Sequence, residues 1–293
     1  SGQSPKIISI MKQLLFKTTI ISAFAIATLA GCKKENLDTD TTIALDNSIA
    51  DGAFQDMMGV VSEQATNEGL SGFTIGTIHA KIADDCPTVT FSEALGVFPN
   101  TMTLDFGTSC VGYMGVERSG KIMATFTGYY KDAGTVITLT TDNYYVNGSK
   151  VEGTKTVINE GLTIEGHPWF SVIVDGGLIT LETGETISWN SSRMREWTAG
   201  YDTPELEDDV YGLNDGVAAE YAITGVNRNG TPFTAHIAQT LVKRMDCRYI
   251  TSGILEVTPE DMTTRSLDFG DGDCDNKATL TVGEFSAEIT LLY

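Results

Sequence analysis

The sequence predicts a mainly β, antiparallel fold with one short N-terminal helix. From about residue 70 onward, short runs rich in Val, Ile, Thr, Tyr and Phe are separated by Gly, Asn and Asp, which is typical of antiparallel strands and their turns. Strands do not alternate with helical segments, which disfavours a parallel α/β sheet. Two cysteine-bounded segments share a motif and indicate an internal duplication. We therefore expect a meander or a sandwich with two related disulfide-closed segments.

One helix is predicted, over about residues 48–65. Phe54, Met57, Met58 and Val61 recur at i, i+3, i+4 and i+7, which places them on one apolar helical face. Methionine adapts well to irregular apolar surfaces. The pattern therefore predicts a helix that packs on the sheet.

The clearest hairpin is predicted over Asn143–Glu152. Asn147 and Gly148 form the dipeptide best suited to a two-residue type I′ turn. Successive strand residues point to opposite faces, so Tyr144 and Tyr145 should be divided between the core and the surface.

The internal duplication predicts how four cysteines pair. Leu-Asp-Phe-Gly occurs at 104–107, shortly before Cys110, and again at 267–270, shortly before Cys274. Cys86 and Cys247 precede the two copies. Four cysteines allow three pairings, and the repeat favours Cys86 with Cys110 and Cys247 with Cys274. In the chain-entropy model each cross-link stabilises the fold by about 3–4 kcal/mol.

The N-terminal region has the three parts of an export signal. Lys12 and Lys17 follow the plausible initiator Met11, and a mostly apolar stretch covers residues 20–29. That stretch is too short for a membrane-spanning helix of about 20 residues. Residues 1–10 are interpreted as upstream sequence. Residues 1–31 are thus predicted to be upstream sequence and a cleaved leader.

The leader ends in Leu29-Ala30-Gly31-Cys32, which resembles the lipobox of bacterial lipoproteins. The resemblance implies cleavage before Cys32 and acylation of that cysteine. Lys33, rather than Asp, follows it, which in such families suggests the outer membrane. With the β-rich body, the layout resembles outer-membrane lipoproteins of Bacteroidota, many of which face the cell exterior. This resemblance implies a location and no particular activity.

The predicted mature chain is strongly acidic. Residues 1–31 contain three of the 19 Lys and Arg residues and none of the 39 Asp and Glu residues, so the remaining formal charge is 16 minus 39, or −23. Such a charge argues against nucleic acid and anionic lipid surfaces as partners. Residues 32–47 are polar and acidic and are interpreted as a flexible tether. Residues 48–293 are expected to form one β-rich domain, in which the repeat suggests two related halves.

No metal or cofactor site is predicted. Asp271, Asp273 and Asp275 alternate as in calcium loops, but Asn276 and Val282 stand where an EF-hand requires Gly and Glu. The segment 115–122 has the spacing of a phosphate-binding loop but ends in Ile rather than Ser or Thr. The histidines are too scattered in sequence to indicate zinc: they are His79, His167 and His236.

No catalytic residue is predicted either. Glu205, Glu207, Asp208 and Asp209 could supply the two carboxylates of a glycoside hydrolase, but sequence does not give the separation that this chemistry needs. We expect these acids to lie in a solvated loop. No Gly-x-Ser-x-Gly motif of serine hydrolases occurs.

Aromatic residues provide the candidate binding surface. Trp189, Trp197, Tyr201 and Tyr211 lie in one segment with arginines and acids, and flat aromatic faces suit sugar rings or protein partners. Their ordinary role would be packing within the core or across strands.

The leading functional expectation is a lipid-anchored outer-membrane or cell-surface protein with a non-catalytic role. It would bind a glycan, a peptide or a neighbouring membrane complex. One alternative is an extracellular hydrolase that cleaves glycans with paired carboxylates. Another is a carrier that holds an apolar ligand within the β-fold.

Overall fold

A computed structural model describes residues 38–72, 86–216 and 222–292 of the chain. The leader, Cys32, the first part of the predicted tether and His79 lie outside these ranges. The described residues contain helix α1 (Thr42–Asn67), a short 3-10 turn (Tyr113–Gly115) and fifteen strands. The strands are β1 (Thr88–Phe91), β2 (Asn100–Asp105), β3 (Cys110–Val111), β4 (Glu117–Phe126), β5 (Val136–Val146), β6 (Ser149–Leu162), β7 (Pro168–Thr180), β8 (Thr186–Ala199), β9 (Val210–Asp215), β10 (Ile223–Val226), β11 (Pro232–Arg244), β12 (Ile250–Pro259), β13 (Arg265–Asp271), β14 (Lys277–Val282) and β15 (Phe285–Thr290).

The strands form one antiparallel sheet in which most neighbours in space are also neighbours in sequence. The order is β1-β2-β4-β5-β6-β7-β8-β10-β11-β12-β13-β14-β15, and β3 is added to β4. Strands β9 and β10 lie end to end between the long strands β8 and β11, because each pairs with both. The predicted mainly β, antiparallel fold is confirmed, and its arrangement is a meander.

Helix α1 begins earlier than the sequence pattern indicates. It starts at Thr42, so residues 42–47, assigned above to the tether, are helical. Ile43 and Ala44 are buried, and so is the charged Asp46. The apolar periodicity fails to mark this first turn and a half because polar residues there are buried too. The helix is 26 residues long, which is longer than predicted.

Three aspartates of α1 form ion pairs with arginines from the sheet or its turns. They stand five residues apart along the helix, so they point in different directions and meet different parts of the sheet. The pairs are Asp46 with Arg228, Asp51 with Arg193, and Asp56 with Arg118. All six side chains are buried or half-buried. The helix is therefore held from several sides by charge as well as by apolar packing.

The middle of the helix packs on an aromatic side chain of β8. Phe54 stacks on Trp189 with ring centroids 5.6 Å apart. The indole N–H of Trp189 donates a hydrogen bond of 3.0 Å to the Asn47 side-chain oxygen, which satisfies this buried donor. On β7, a Cβ at Gly177 would lie 2.2 Å from the carbonyl oxygen of Trp189 and 3.1 Å from the Phe54 ring. Glycine is therefore required there for β7 to lie this close to β8, and it also leaves room for the Phe54 ring.

Both predicted disulfides are confirmed. Cys86 bonds to Cys110 and Cys247 bonds to Cys274. The two Leu-Asp-Phe-Gly copies also have the same local structure, since Asp105 and Asp268 each accept a 2.9 Å hydrogen bond from the amide of the glycine two residues later. The copies lie on β2 and β13, near opposite ends of the strand order. Each end of the sheet thus carries one covalent cross-link.

The predicted hairpin is confirmed as well. Asn147 and Gly148 both have positive φ, at 46° and 80°, as a type I′ turn requires. They connect β5 to β6, with Val146 paired to Ser149. Tyr144 is fully buried, whereas Tyr145 is 36 % exposed, which is the division that strand alternation predicts.

Candidate functional site

Strand β8 supplies one face of the protein interior. Its side chains alternate between buried and half-buried positions along almost the whole strand, as the two-residue period of a strand demands. The buried residues that follow one another on this face are Trp189, Ser191, Arg193, Arg195 and Trp197. The strand therefore turns two tryptophans and two arginines towards α1.

The two tryptophans belong to different regions of the interior. Eight residues of strand separate Trp189 from Trp197, which corresponds to about 26 Å. Trp189 packs under the middle of the helix against Phe54. Trp197 lies beside the C-terminal half of the helix. Of the four predicted binding residues, Trp189 is therefore separate from the others.

A pocket opens next to Trp197. It has about 440 Å³ of empty space, part of it open to solvent, and lies between α1, strands β4, β5, β8 and β9, and the connection at 200–209. Its walls are mostly apolar and include Met58, Val61, Ala65, Phe126, Ile137 and Leu206. The part of this space that is shielded from solvent is only about 30 Å³, so a ligand would place one group in the pocket and extend outward from it. The apolar lining is typical of sites for small molecules.

Two of the four predicted aromatic residues, Trp197 and Tyr211, line this pocket. They are direct partners on β8 and β9, and their rings stack with centroids 5.5 Å apart. Tyr130 also lines the pocket and lies 5.8 Å from Trp197. Trp197, Tyr211 and Tyr130, which we call the aromatic cluster, form one wall of the pocket. Tyr201 packs edge-on to Trp197 at 6.5 Å but is not part of the lining.

Asp209 is the buried acid of the pocket. It is 4 % exposed, and it accepts hydrogen bonds from Trp197 Nε1 at 3.0 Å and from the Tyr211 hydroxyl at 3.4 Å. Burial raises the pKa of Asp209 to about 7, although these hydrogen bonds oppose the shift. The expectation that the 205–209 acids lie in a solvated loop is wrong for Asp209. It holds for Glu205, Glu207 and Asp208, which are exposed.

A glycine allows Asp209 to reach this position. Gly200 has φ +83° and follows the last residue of β8. A Cβ there would lie 2.4 Å from Asp209 Oδ1 and 2.7 Å from its Cα. Any other residue would therefore push the 200–209 connection away from the strand and separate the carboxyl from the Trp197 indole.

Arg195 lies behind the aromatic wall. Its guanidinium carbon is 4.6 Å from the centroid of the Tyr211 ring, which is a favourable cation–π distance. One guanidinium nitrogen donates a 2.5 Å hydrogen bond to the Tyr130 hydroxyl. Arg195 thus fixes two rings of the aromatic cluster, and its positive charge favours the ionised form of Asp209.

The arrangement suits binding of a small molecule that is largely apolar. The rings provide flat contact area with little rotamer freedom to lose, and Asp209 offers one buried acceptor that is close to half-ionised at neutral pH. Within the described ranges, no group of three or more His, Cys, Asp or Glu side chains could hold a metal ion. The same residues include no helix that is long and apolar enough to span a membrane.

Sequence reasoning found the aromatic residues of the pocket but missed Asp209 and Arg195 as its polar groups. The signal for Arg195 was available, because its spacing from Trp197 places both on one face of a strand. No known protein family, curated protein or solved structure matches the chain. The geometry of the pocket therefore carries the functional argument.

Proposed function

We propose that the chain is a lipid-anchored, non-catalytic binding protein that holds a small, mainly apolar molecule in the pocket beside Trp197. The observation that carries the proposal is an apolar pocket lined by the aromatic cluster, with the carboxyl of Asp209 buried at its wall. Asp209 accepts two hydrogen bonds from the protein and has about four acceptor positions, so it can also accept one from a ligand that presents a hydrogen-bond donor. The favoured ligand thus has an apolar body and one hydroxyl or amine group.

A direct test uses N-phenyl-1-naphthylamine, a fluorescent apolar amine with one N–H donor. We expect saturable binding to the wild-type protein, tighter by several-fold at pH 8.5 than at pH 5.5. The pKa of Asp209, at about 7, leaves the carboxyl ionised at the higher pH and protonated at the lower one, and a hydrogen bond to an ionised acceptor is the stronger one. Asp209→Asn should remove this pH dependence and weaken binding at pH 8.5 by about 3- to 10-fold.

The matched control is Asp208→Asn. Asp208 is the neighbouring acid, but it is exposed and accepts hydrogen bonds from the Thr203 hydroxyl outside the pocket wall. Its replacement should leave dye binding at pH 8.5 unchanged and should retain the pH dependence, with the midpoint moved to lower pH because the Asp208 charge raises the pKa of Asp209. Binding that does not saturate, or an equal effect of the two substitutions, would contradict the proposed site.

One observation favours a second function, glycan hydrolysis. Asp209 has the raised pKa of a general acid, and Glu205 lines the same pocket. Turnover of oligosaccharides that disappears in Asp209→Asn would replace the binding proposal with this one. The hydrogen bonds that Asp209 accepts from Trp197 and Tyr211 make a binding role the better supported of the two.

The anchor is a separate part of the proposal and is supported by the Leu29-Ala30-Gly31-Cys32 motif. If Cys32 is acylated, cells that express the full chain and are fed a labelled fatty acid should yield a labelled, membrane-associated protein. Cys32→Ser should abolish the label, because it removes the thiol that is acylated. Without the acyl chains that attach it to the bilayer, the variant should leave the membrane fraction. Membrane association of Cys32→Ser equal to that of the wild type would contradict the anchor.

A further inference from the structure

A second cavity lies under the middle of the helix and has a different character. It is lined by residues of α1 and of strands β6, β7, β8 and β9, among them Asp51, Lys155, Arg193 and Arg195. The three cationic residues are only 3 %, 3 % and 6 % exposed. The cavity thus brings three positive groups and one carboxylate together, inside a chain whose formal net charge is −20.

The charges around this cavity do not balance. Arg193 and Asp51 form a two-fold hydrogen-bonded pair, with distances of 2.8 and 3.0 Å, and neutralise one another. This leaves the charge of Lys155 and that of Arg195, which Asp209 in the neighbouring pocket balances only in part. Burial first, and then the nearby Arg195, lower the pKa of Lys155 to about 7. A buried charge without a counter-charge is costly, so the cavity favours an additional negative group.

Several hydrogen-bond donors at the cavity also lack acceptors. Within the described part of the chain, the Nε–H groups of Arg193 and Arg195 are buried and have no acceptor. The ammonium group of Lys155 donates to the carbonyl oxygen of Phe54 at 2.8 Å, which uses one of its three protons. Buried donors in proteins are almost always satisfied, and an exception points to a water molecule or an ion.

We propose that this cavity binds one small monovalent anion, with chloride as the natural occupant, held by Lys155 and by the Nε–H groups of Arg193 and Arg195. The space has room for an occupant about the size of one water molecule. Chloride is only slightly larger than a water molecule, whereas sulfate and phosphate are several times larger. A water molecule would accept from two donors at most and would leave the positive charges uncompensated.

The anion would sit under the centre of the helix and not beside Asp209, although Arg195 contributes to both places. Its role in the cavity is structural: the anion completes the contact between α1 and the sheet. The ion would bind on folding and be released when the protein unfolds. The stability of the protein should therefore depend on which anion is present.

The test compares the melting temperature of the full chain in sodium chloride, sodium bromide and sodium gluconate at equal ionic strength and pH 6, where Lys155 is protonated. Chloride and bromide should raise the melting temperature above its value in gluconate, by about 3 °C at tenfold saturation. The increase should shrink by pH 9, because Lys155 has then lost its proton. Equal melting temperatures in all three salts would overturn the proposal.

Two lysine variants locate the site. Lys155→Met should abolish the preference for chloride over gluconate. Lys243→Met is the matched control, because Lys243 is also buried, at 8 % exposed, and its pKa is lowered to about 8, but it does not line this cavity. Its replacement should retain the full chloride effect. Loss of the effect in both variants, or in neither, would contradict the assignment.

A measurement on the wild-type protein covers the case in which Lys155→Met does not fold. Crystals grown in bromide should show an anomalous scattering peak within hydrogen-bond distance of Lys155 Nζ and Arg195 Nε. A peak there supports the anion site. An ordered water molecule without anomalous signal at that position would overturn it.

Discussion

Replacing Asp56 by alanine is expected to lower the free energy of unfolding by about 3–5 kcal/mol, because it leaves a buried guanidinium without its carboxylate. Arg118 has a fully buried side chain, and its Nε donates to Asp56 Oδ2 at 2.9 Å. Tyr144 also donates to the same carboxylate oxygen, at 3.4 Å. Urea unfolding of the variant and the wild type, followed by circular dichroism, measures the difference.

The control for this prediction is a surface ion pair. Lys277 and Glu288 are 51 % and 64 % exposed, so Glu288→Ala should change stability by less than about 1 kcal/mol. The double variant Asp56→Leu with Arg118→Met should recover much of the loss, since an apolar pair removes the uncompensated charge. If Asp56→Ala is no more destabilising than Glu288→Ala, the ion pair does not hold the helix.

Replacing Phe54 by alanine should also cost about 3–5 kcal/mol. The side chain is 1 % exposed, stacks on Trp189 and closes against Gly177, so its removal leaves a cavity that the rigid strands cannot fill. Thermal or chemical unfolding checks the value. Ile164, 97 % exposed at the β6–β7 turn, provides the control, and Ile164→Ala should stay within about 0.5 kcal/mol of wild type. A loss below about 1 kcal/mol for Phe54→Ala would mean that the helix is not part of the core.

Sequence alone predicts the features that depend on neighbouring residues. The turn at Asn147 and Gly148 needs only two residues that accept positive φ, and the sequence places them between two strand-like runs. The two disulfides are predictable for a different reason: a repeated motif fixes which cysteines belong together. The two turn residues are adjacent, and the cysteines of the two disulfides are 24 and 27 residues apart. Both features therefore form within short stretches of chain.

The helix shows why other features are not predictable. The sequence between 42 and 51 contains Asp46, Asn47 and Asp51, which in an isolated helix would favour solvent. Asp46 and Asp51 are buried because Arg228 and Arg193 stand opposite them, 182 and 142 positions later in the chain. Asn47 is buried because it accepts a hydrogen bond from Trp189. Only the tertiary structure brings such partners together, so an apolar pattern underestimates the length and burial of this helix.

The buried acid of the pocket also depends on tertiary structure. Glu205, Glu207, Asp208 and Asp209 look equivalent in the sequence, and three of them are exposed. Asp209 is buried because the pairing of β8 with β9 brings Trp197 next to Tyr211, and both donate to it. The register of two strands therefore decides which acid of the four becomes the polar group of the pocket.

The position of the helix at the start of the fold also governs the order of assembly. The helix leaves the ribosome or a membrane translocase before any strand, but the arginine that neutralises Asp46 follows β10. Each strand can pair with its predecessor as soon as it emerges, because most sheet contacts are local in sequence. The carboxylates of the helix must stay hydrated until those later strands arrive. Enclosure of the helix is therefore a late event, and a nascent chain that stalls before β8 would lack the arginines that pair with Asp46 and Asp51.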